Sequence, residues 1–261
     1  MYIAMYTTII LQGRREHMED RACVIQNFYR DYALYVLFDG HGGDVVSDTC
    51  ARKVGGLLKA NLESGMPIVG ALRKTLTDLD ALFTDEKCYM TGSTCVLVMK
   101  CPDHLWVANC GDSRAIINAH DTHRGYEPLS VDHKPVGKER ERIEALGGSV
   151  YDHSGVARVN GELAVSRAIG DRRYRPYVVP HPDVYRYKLG AGNKFIVLAT
   201  DGLWDVMSSQ DVNGFVNAFY ANAGSAISDS RLLENATNAL RTYIQPVIED
   251  NTSVIIVHVR R

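Results

Sequence analysis

Residues 94–118, Thr94-Cys95-Val96-Leu97-Val98-Met99-Lys100-Cys101-Pro102-Asp103-His104-Leu105-Trp106-Val107-Ala108-Asn109-Cys110-Gly111-Asp112-Ser113-Arg114-Ala115-Ile116-Ile117-Asn118, hold three short apolar runs separated by two turns. Thr94–Lys100, His104–Asn109 and Arg114–Asn118 read as strands because each is short, rich in Val, Leu or Ile, and bounded by turn residues. Cys101-Pro102-Asp103 and Cys110-Gly111-Asp112 are too short to carry a parallel crossover, which needs about a dozen residues or more. Consecutive strands here should therefore pair antiparallel, which excludes a doubly wound parallel sheet. Working outward, Tyr6–Leu11, Arg21–Asn27, Tyr32–Phe38, Phe195–Thr200 and Ser253–Val259 carry the same strand signal. Asp44–Leu62, Val69–Phe83, Val136–Leu146, Gln210–Asn222 and Arg231–Ile244 read as helices. In the first of these, Val46, Cys50, Val54, Leu57 and Leu58 recur at three- and four-residue steps, as one buried face requires. Gly55 and Gly56 inside it cost about 1 kcal/mol each in helix propensity, so packing must offset them. The whole predicts an α+β chain, antiparallel sheet covered by amphipathic helices.

Composition bounds the function. The chain has 261 residues, 46% hydrophobic and 23% charged, which suits a globular domain and excludes a disordered one. A formal net charge of −2 supplies no electrostatic reason to expect nucleic acid or an anionic membrane as partner. Six cysteines, at 23, 50, 88, 95, 101 and 110, show no two-residue spacing of a zinc knuckle or redox motif. They read as small buried apolar residues of a reduced compartment. Met1–Gln12 has no basic leader, residue 2 is Tyr2 and not glycine, and the longest charge-free stretch, Val212–Ser228, is too polar to span a bilayer. An intracellular chain, cytoplasmic or nuclear, without a membrane segment is expected.

Acids concentrate at strand ends. Tyr35-Val36-Leu37-Phe38-Asp39-Gly40 and Ile196-Val197-Leu198-Ala199-Thr200-Asp201-Gly202 are apolar runs that stop at a carboxylate and a glycine. Met18-Glu19-Asp20 and Glu249-Asp250-Asn251 stand just before two other strands. In an antiparallel sheet the end of one strand lies beside the start of its neighbour, so Glu19, Asp20, Asp39, Asp201 and Asp250 can gather at one edge, with Asp112 beside them. So many carboxylates repel unless divalent cations lie between them, and an all-oxygen donor set favours Mg²⁺ or Mn²⁺. Each Asp-Gly alone is equally a turn signal. From the residues alone, a two-metal site and a set of unrelated turns are both open. Arg15, in the same entry segment, suits a phosphate, and His41 titrates near neutral pH.

Eight stretches, in order, resemble the metal-dependent protein serine/threonine phosphatases of type 2C. They are Gly13-Arg14-Arg15-Glu16-His17-Met18-Glu19-Asp20, Phe38-Asp39-Gly40-His41-Gly42-Gly43, Thr91-Gly92-Ser93-Thr94, Ala108-Asn109-Cys110-Gly111-Asp112-Ser113-Arg114, Asp132-His133-Lys134-Pro135, residues 158–171, Ala199-Thr200-Asp201-Gly202-Leu203-Trp204-Asp205-Val206-Met207-Ser208, and Asp250-Asn251-Thr252-Ser253-Val254. The resemblance runs from about residue 12 to the end. It implies a single catalytic domain over residues 1–261, with two antiparallel sheets packed face to face and helices outside, a four-layer α-β-β-α sandwich.

The resemblance also implies a site. Asp39 would bridge two Mg²⁺ or Mn²⁺ ions, and the Gly40 carbonyl would bind one of them. Asp201 and Asp250 would bind the other, and Glu19 and Asp20 would reach the metals directly or through water. Asp112 and Asp205, with Asp201, would form a weaker third site. Arg15 would hold the substrate phosphate and His41 would act as general acid. The implied reaction is hydrolysis of phosphoserine or phosphothreonine in a phosphoprotein substrate by a metal-activated water, on a monomer. The alternative is a phosphoprotein-binding pseudophosphatase, disfavoured because every expected acid is present. A two-metal nuclease lacks a basic-groove signal, and a kinase lacks a Gly-rich nucleotide loop. His17 and Arg21 depart from the expected pattern and can alter local charge. Gly170–Pro182 is expected in the variable flap, where Arg172-Arg173-Tyr174-Arg175 either attracts acidic phosphopeptides or is a solvated loop. His120 and His123 are expected on the surface of a hairpin.

Overall fold

A computed structural model describes residues 5–119, 122–221 and 227–259. Two five-stranded antiparallel sheets dominate it. In sheet 1 the strands run Tyr6–Leu11, Thr252–His258, Phe195–Ala199, Arg114–Asn118, Tyr126–Pro128. In sheet 2 the order is Asp183–Lys188, His104–Cys110, Cys95–Lys100, Tyr32–Phe38, Arg21–Tyr29. The sheets face one another through Tyr35, Leu37, Val96, Val98, Leu105 and Val107 on one side and Ala115, Ile117, Ile196, Leu198, Ile255 and Val257 on the other. Their central strands are buried on both faces, which explains the continuous apolar runs in place of alternation.

Helices Val45–Glu63 and Ile68–Asp80 cover the outer face of sheet 2, and Ser209–Ala221 and Asp229–Ile244 cover that of sheet 1. The four-layer sandwich is thus observed. Val46, Cys50, Val54 and Leu58 of the first helix are all buried, with Leu57 at the margin. Gly55 explains itself, because a Cβ there would strike the Ile25 side chain of sheet 2, so the helix packs closer than any larger residue allows. Nothing lies near the Cβ position of Gly56, and its presence is unexplained.

The turns behave differently from one another. Cys101-Pro102-Asp103 closes a hairpin, with Lys100 opposite Leu105. Cys110-Gly111-Asp112 does not, because His104–Cys110 lies in sheet 2 and Arg114–Asn118 in sheet 1. Shortness implied antiparallel pairing, but at this turn the chain steps between stacked sheets. Asp183–Lys188, absent from the sequence reading, is an edge strand with no buried residue, so its alternation is faint. Tyr126–Pro128, the hairpin Val150–His153 with Val156–Val159, and the one-turn helix Asp201–Trp204 are likewise additions. His123 is exposed in the connection between Arg114–Asn118 and Tyr126–Pro128, as expected, whereas His120 and Asn222 lie outside the described residues. All six cysteines are free and five are buried. Among the described residues no helix is long and apolar enough to cross a membrane.

Candidate active site

The acids come from both sheets. Arg21 pairs with Phe38 in sheet 2, so Asp20 and Asp39 flank one register position. Ala199 pairs with Val254 in sheet 1, and the Thr200 amide donates to the Ser253 carbonyl at 3.0 Å, which sets Asp201 beside the segment that follows Asp250. Stacking brings the two pairs together. Thr200 Oγ1 donates to Asp20 Oδ2 at 2.9 Å, a direct tie between the sheets. Asp39, Asp112 and Asp201 offer carboxylate oxygens all within 4.8 Å of one another. They line a cleft of about 680 Å³ together with Arg15, Glu19, Gly40, His41, Lys134, Asp205 and Asp250. The structure therefore brings nine of the ten candidate residues to one wall of lining atoms. The tenth, Asp20, lies just beneath, 3% exposed.

The electrostatics are unfavourable for bare anions. Burial, then the charges of Asp20, Asp201 and Asp112, push the Asp39 carboxyl well above its ordinary range. Burial and Asp112 raise Asp201 to about 7, and burial raises Asp20 to about 6. Asp205, more exposed, is raised by burial while Lys134 opposes the rise. Asp20 Oδ1 is buried and has no hydrogen-bond partner in the protein. An orphaned carboxylate oxygen among crowded all-oxygen donors is what a hard divalent cation satisfies, so the donor set fits Mg²⁺ or Mn²⁺.

Three partners were invisible to periodicity and spacing. The Lys134 ammonium donates to Asp112 Oδ2 and supplies a built-in countercharge. Asn251 stitches the entry segment down: its amide donates to the Gln12 and His17 carbonyls at 2.8 and 3.0 Å, and its Oδ1 accepts from the Glu19 amide at 2.7 Å. Asp171, fully buried, holds His41 Nε2 at 2.7 Å. Burial disfavours the charged ring, but Asp171 outweighs it and raises the His41 pKa above the ordinary value. Gly92 makes this pair possible, since a Cβ there would strike both the Asp171 carboxylate and the imidazole. All three fall in stretches the resemblance covers, and that was the only signal that could have found them. Arg15 lies at the rim and is paired with Asp250 at 2.6 Å.

The protein phosphatase 2C family profile matches residues 6–252. The chain belongs to the protein phosphatase 2C family. It is 34% identical over 221 residues to probable protein phosphatase 2C 2 of Arabidopsis thaliana, covering 82% of this chain and 57% of that protein. It is 33% identical over 280 residues to protein phosphatase 1B of Rattus norvegicus, covering 95% and 68%. The chain thus spans little more than half of the first relative's length. A solved Caenorhabditis elegans sex-determining protein superposes with a TM-score of 0.84 at 27% identity, covering 98% of this chain and 65% of that one. A phosphatase structure from Toxoplasma gondii superposes at 0.82 with 24% identity, covering 99% and 95%, and supports the fold.

Around this phosphatase 2C site one sequence expectation holds and one changes. Arg21 does alter the local charge, opposing the rise at Asp20, while it donates to the Met18 and Asp20 carbonyls at 2.6 and 2.9 Å and pairs with Asp44 at 2.7 Å. The Arg172–Arg175 run is neither a solvated loop nor a free cationic patch. Arg172 donates to the Phe83 carbonyl at 2.8 Å, Arg175 to Asp80 Oδ1 at 2.5 Å, and Arg173 pairs with Glu162 at 3.0 Å, while Tyr174 is buried. Arg172 and Arg175 lock the segment after Gly170 to the end of the helix Ile68–Asp80, and Arg173 ties it to Glu162. The cleft is bordered instead by Val156, Arg158 and Leu163–Val165.

Proposed function

We propose that this chain is a catalytic domain that hydrolyses phosphoserine and phosphothreonine monoesters in phosphoprotein substrates. The observation that carries this reading is the crowding of Asp39, Asp112 and Asp201, oxygens within 4.8 Å, in a cleft rimmed by Arg15 and His41. Asp39, Asp201, Asp250, Glu19, Asp20 and the Gly40 carbonyl would hold two Mg²⁺ or Mn²⁺ ions, and Asp112 and Asp205 would complete a weaker third position. Bound there, such ions supply Lewis acidity, which makes water a nucleophile near neutral pH and neutralises phosphate oxygens.

The protein's own groups do the rest. Arg15, exposed at the rim, exchanges Asp250 for the substrate and grips two phosphate oxygens through its planar fork. That grip orients phosphorus toward the acids and offsets equatorial charge in the transition state. His41, whose charged form Asp171 favours against burial, gives a proton to the departing serine or threonine oxygen from the ring nitrogen that Asp171 does not hold. Lys134 supplies Asp112 with a countercharge. Unassisted monoester hydrolysis is slow enough that enzymes accelerate it by up to about 10²¹-fold.

Hydrolysis of p-nitrophenyl phosphate and of a phosphothreonine peptide is the test. Turnover should require added Mg²⁺ or Mn²⁺ and vanish in Asp39→Asn with the fold intact by circular dichroism. Turnover that survives exhaustive chelation would reject the reading. Phosphopeptide binding without turnover under saturating metal would identify a pseudophosphatase.

A further inference from the structure

At the far end of sheet 2, the hairpin turn after Cys95–Lys100 gathers three potential ligands. Cys101 Sγ lies 3.0 Å from Asp103 Oδ1 and 3.1 Å from His104 Nδ1, and His104 Nδ1 lies 2.8 Å from Asp103 Oδ1. One atom each of a thiol, a carboxylate and an imidazole thus form a triangle of near-equal sides. From the sequence Cys101 was a small buried apolar residue; its thiol is instead in polar company.

We propose that Cys101, Asp103 and His104 form a second metal site, for Zn²⁺ or a chemically similar borderline-soft divalent ion. Zn²⁺ takes S, N and O ligands at about 2.0–2.3 Å, so a tetrahedral ion needs donors roughly 3.3–3.7 Å apart. The triangle must open by about half an ångström, within reach of side-chain rotation alone. The turn itself is fixed: the Cys101 amide donates to the His104 carbonyl at 3.0 Å and the Leu189 amide to the Asp103 carbonyl at 2.8 Å. Preorganisation of this kind lowers the ordering cost of binding.

The surroundings can serve both states of the imidazole. Without a metal the Asp103 carboxylate, an acceptor only, holds the ring proton on Nδ1; once an ion takes Nδ1 the proton moves to Nε2, where the Tyr32 hydroxyl, 2.7 Å away, can accept it. The three donors present different faces. Cys101 is buried, the His104 side chain is 15% exposed and Asp103 is 79% exposed, so solvent has an open side for entry and for a fourth, water ligand. Because the thiolate is the ligating form, binding must expel the Cys101 proton to solvent and will weaken as pH falls.

The thiolate also separates this site from the acid cleft. Soft sulfur selects against Mg²⁺, whereas all-oxygen donors accept it. The two sites are well apart: Tyr32 opens the seven-residue strand that ends at Phe38, before Asp39. At about 3.3 Å per residue that strand spans roughly 20 Å.

Cobalt titration of the full chain in saturating Mg²⁺ tests the proposal, because Co²⁺ bound to thiolate shows a sulfur-to-metal charge-transfer band that oxygen ligands cannot give. One equivalent should produce the band, and Zn²⁺ should abolish it by displacement. Cys101→Ser should remove the band, and Asp39→Asn should keep it, which makes the result independent of the phosphatase reading. Tyr32→Phe, which leaves all three ligands, should weaken Zn²⁺ binding about 10- to 100-fold. No charge-transfer band in the wild-type chain, or a band that persists in Cys101→Ser, would overturn the assignment.

Discussion

Asp201→Asn should stabilise the metal-free protein at neutral pH, although it removes a residue at the heart of the site. The folded-state carboxyl sits at about 7 against an ordinary value of 3.8. Below the unfolded value both states carry the proton and the acid is neutral to stability. As pH rises toward the folded value, the unfolded chain has lost the proton while the fold still holds it, so folding weakens. At about 1.4 kcal/mol per pH unit, the full difference is roughly 4 kcal/mol, reached above pH 7. Removing Asp201 also relieves Asp39, which it raises, but the buried amide that replaces it is left short of partners, so about 3 kcal/mol is the expected gain. For a chain of this size that is about 5–10 °C in melting temperature.

Thermal unfolding in chelator, from pH 5 to pH 8, reads it out. Wild type should lose stability as pH rises from 5 to 7, while Asp201→Asn should lose much less. Glu139, held at about 2 by Arg167, Ser166 and Arg142 despite its burial, adds no slope in this window. His133, lowered by burial, pulls the other way, so the difference between the two proteins is the informative quantity. Added Mg²⁺ should raise the wild-type melting temperature and leave that of Asp201→Asn nearly unmoved, since ligand stabilisation follows affinity for the folded state. A variant that melts lower than wild type at pH 7.5 in chelator would refute the reasoning.

His41→Ala should cost about 10²–10⁴-fold on a phosphoserine peptide and much less on p-nitrophenyl phosphate, whose leaving group needs no proton; equal losses would reject general-acid catalysis. Asp171→Asn removes the charge that raises the His41 pKa, so the alkaline limb of the kcat profile should move to lower pH, as a pH–rate series with a peptide substrate will show. Arg15→Ala should raise KM about 10- to 100-fold through the lost charged hydrogen bonds and weaken inhibition by inorganic phosphate in parallel. Gly92→Ala should mimic His41→Ala in steady-state kinetics while the melting temperature in Mg²⁺ falls only slightly, because the new Cβ collides with the His41–Asp171 pair.

Much of this molecule was legible along the chain. Tyr6–Leu11, Tyr32–Phe38 and Arg114–Asn118 were bounded to the residue. The first helix and its buried stripe were visible because burial on one side writes a 3.6-residue period into the sequence. Asp183–Lys188 escaped because an exposed edge strand buries nothing and so leaves no period to read.

Chemistry followed the same divide. Apolar runs halting at Asp39 and Asp201, and acids opening the strands after Asp20 and Asp250, are one-dimensional facts, and they were sufficient to suggest a cation site. Edge-pairing within one sheet could account for Asp20 beside Asp39, or Asp201 near Asp250, but not for all four at once. That took the stacking of sheet 1 on sheet 2, driven by the apolar faces between them, with Thr200 reaching Asp20 across the gap. The partner of His41 lies 130 residues away and that of Lys134 lies 22. Separations like these encode no periodicity. Strand and helix patterns are local consequences of burial, whereas the pairing of charges is settled only where distant backbones meet.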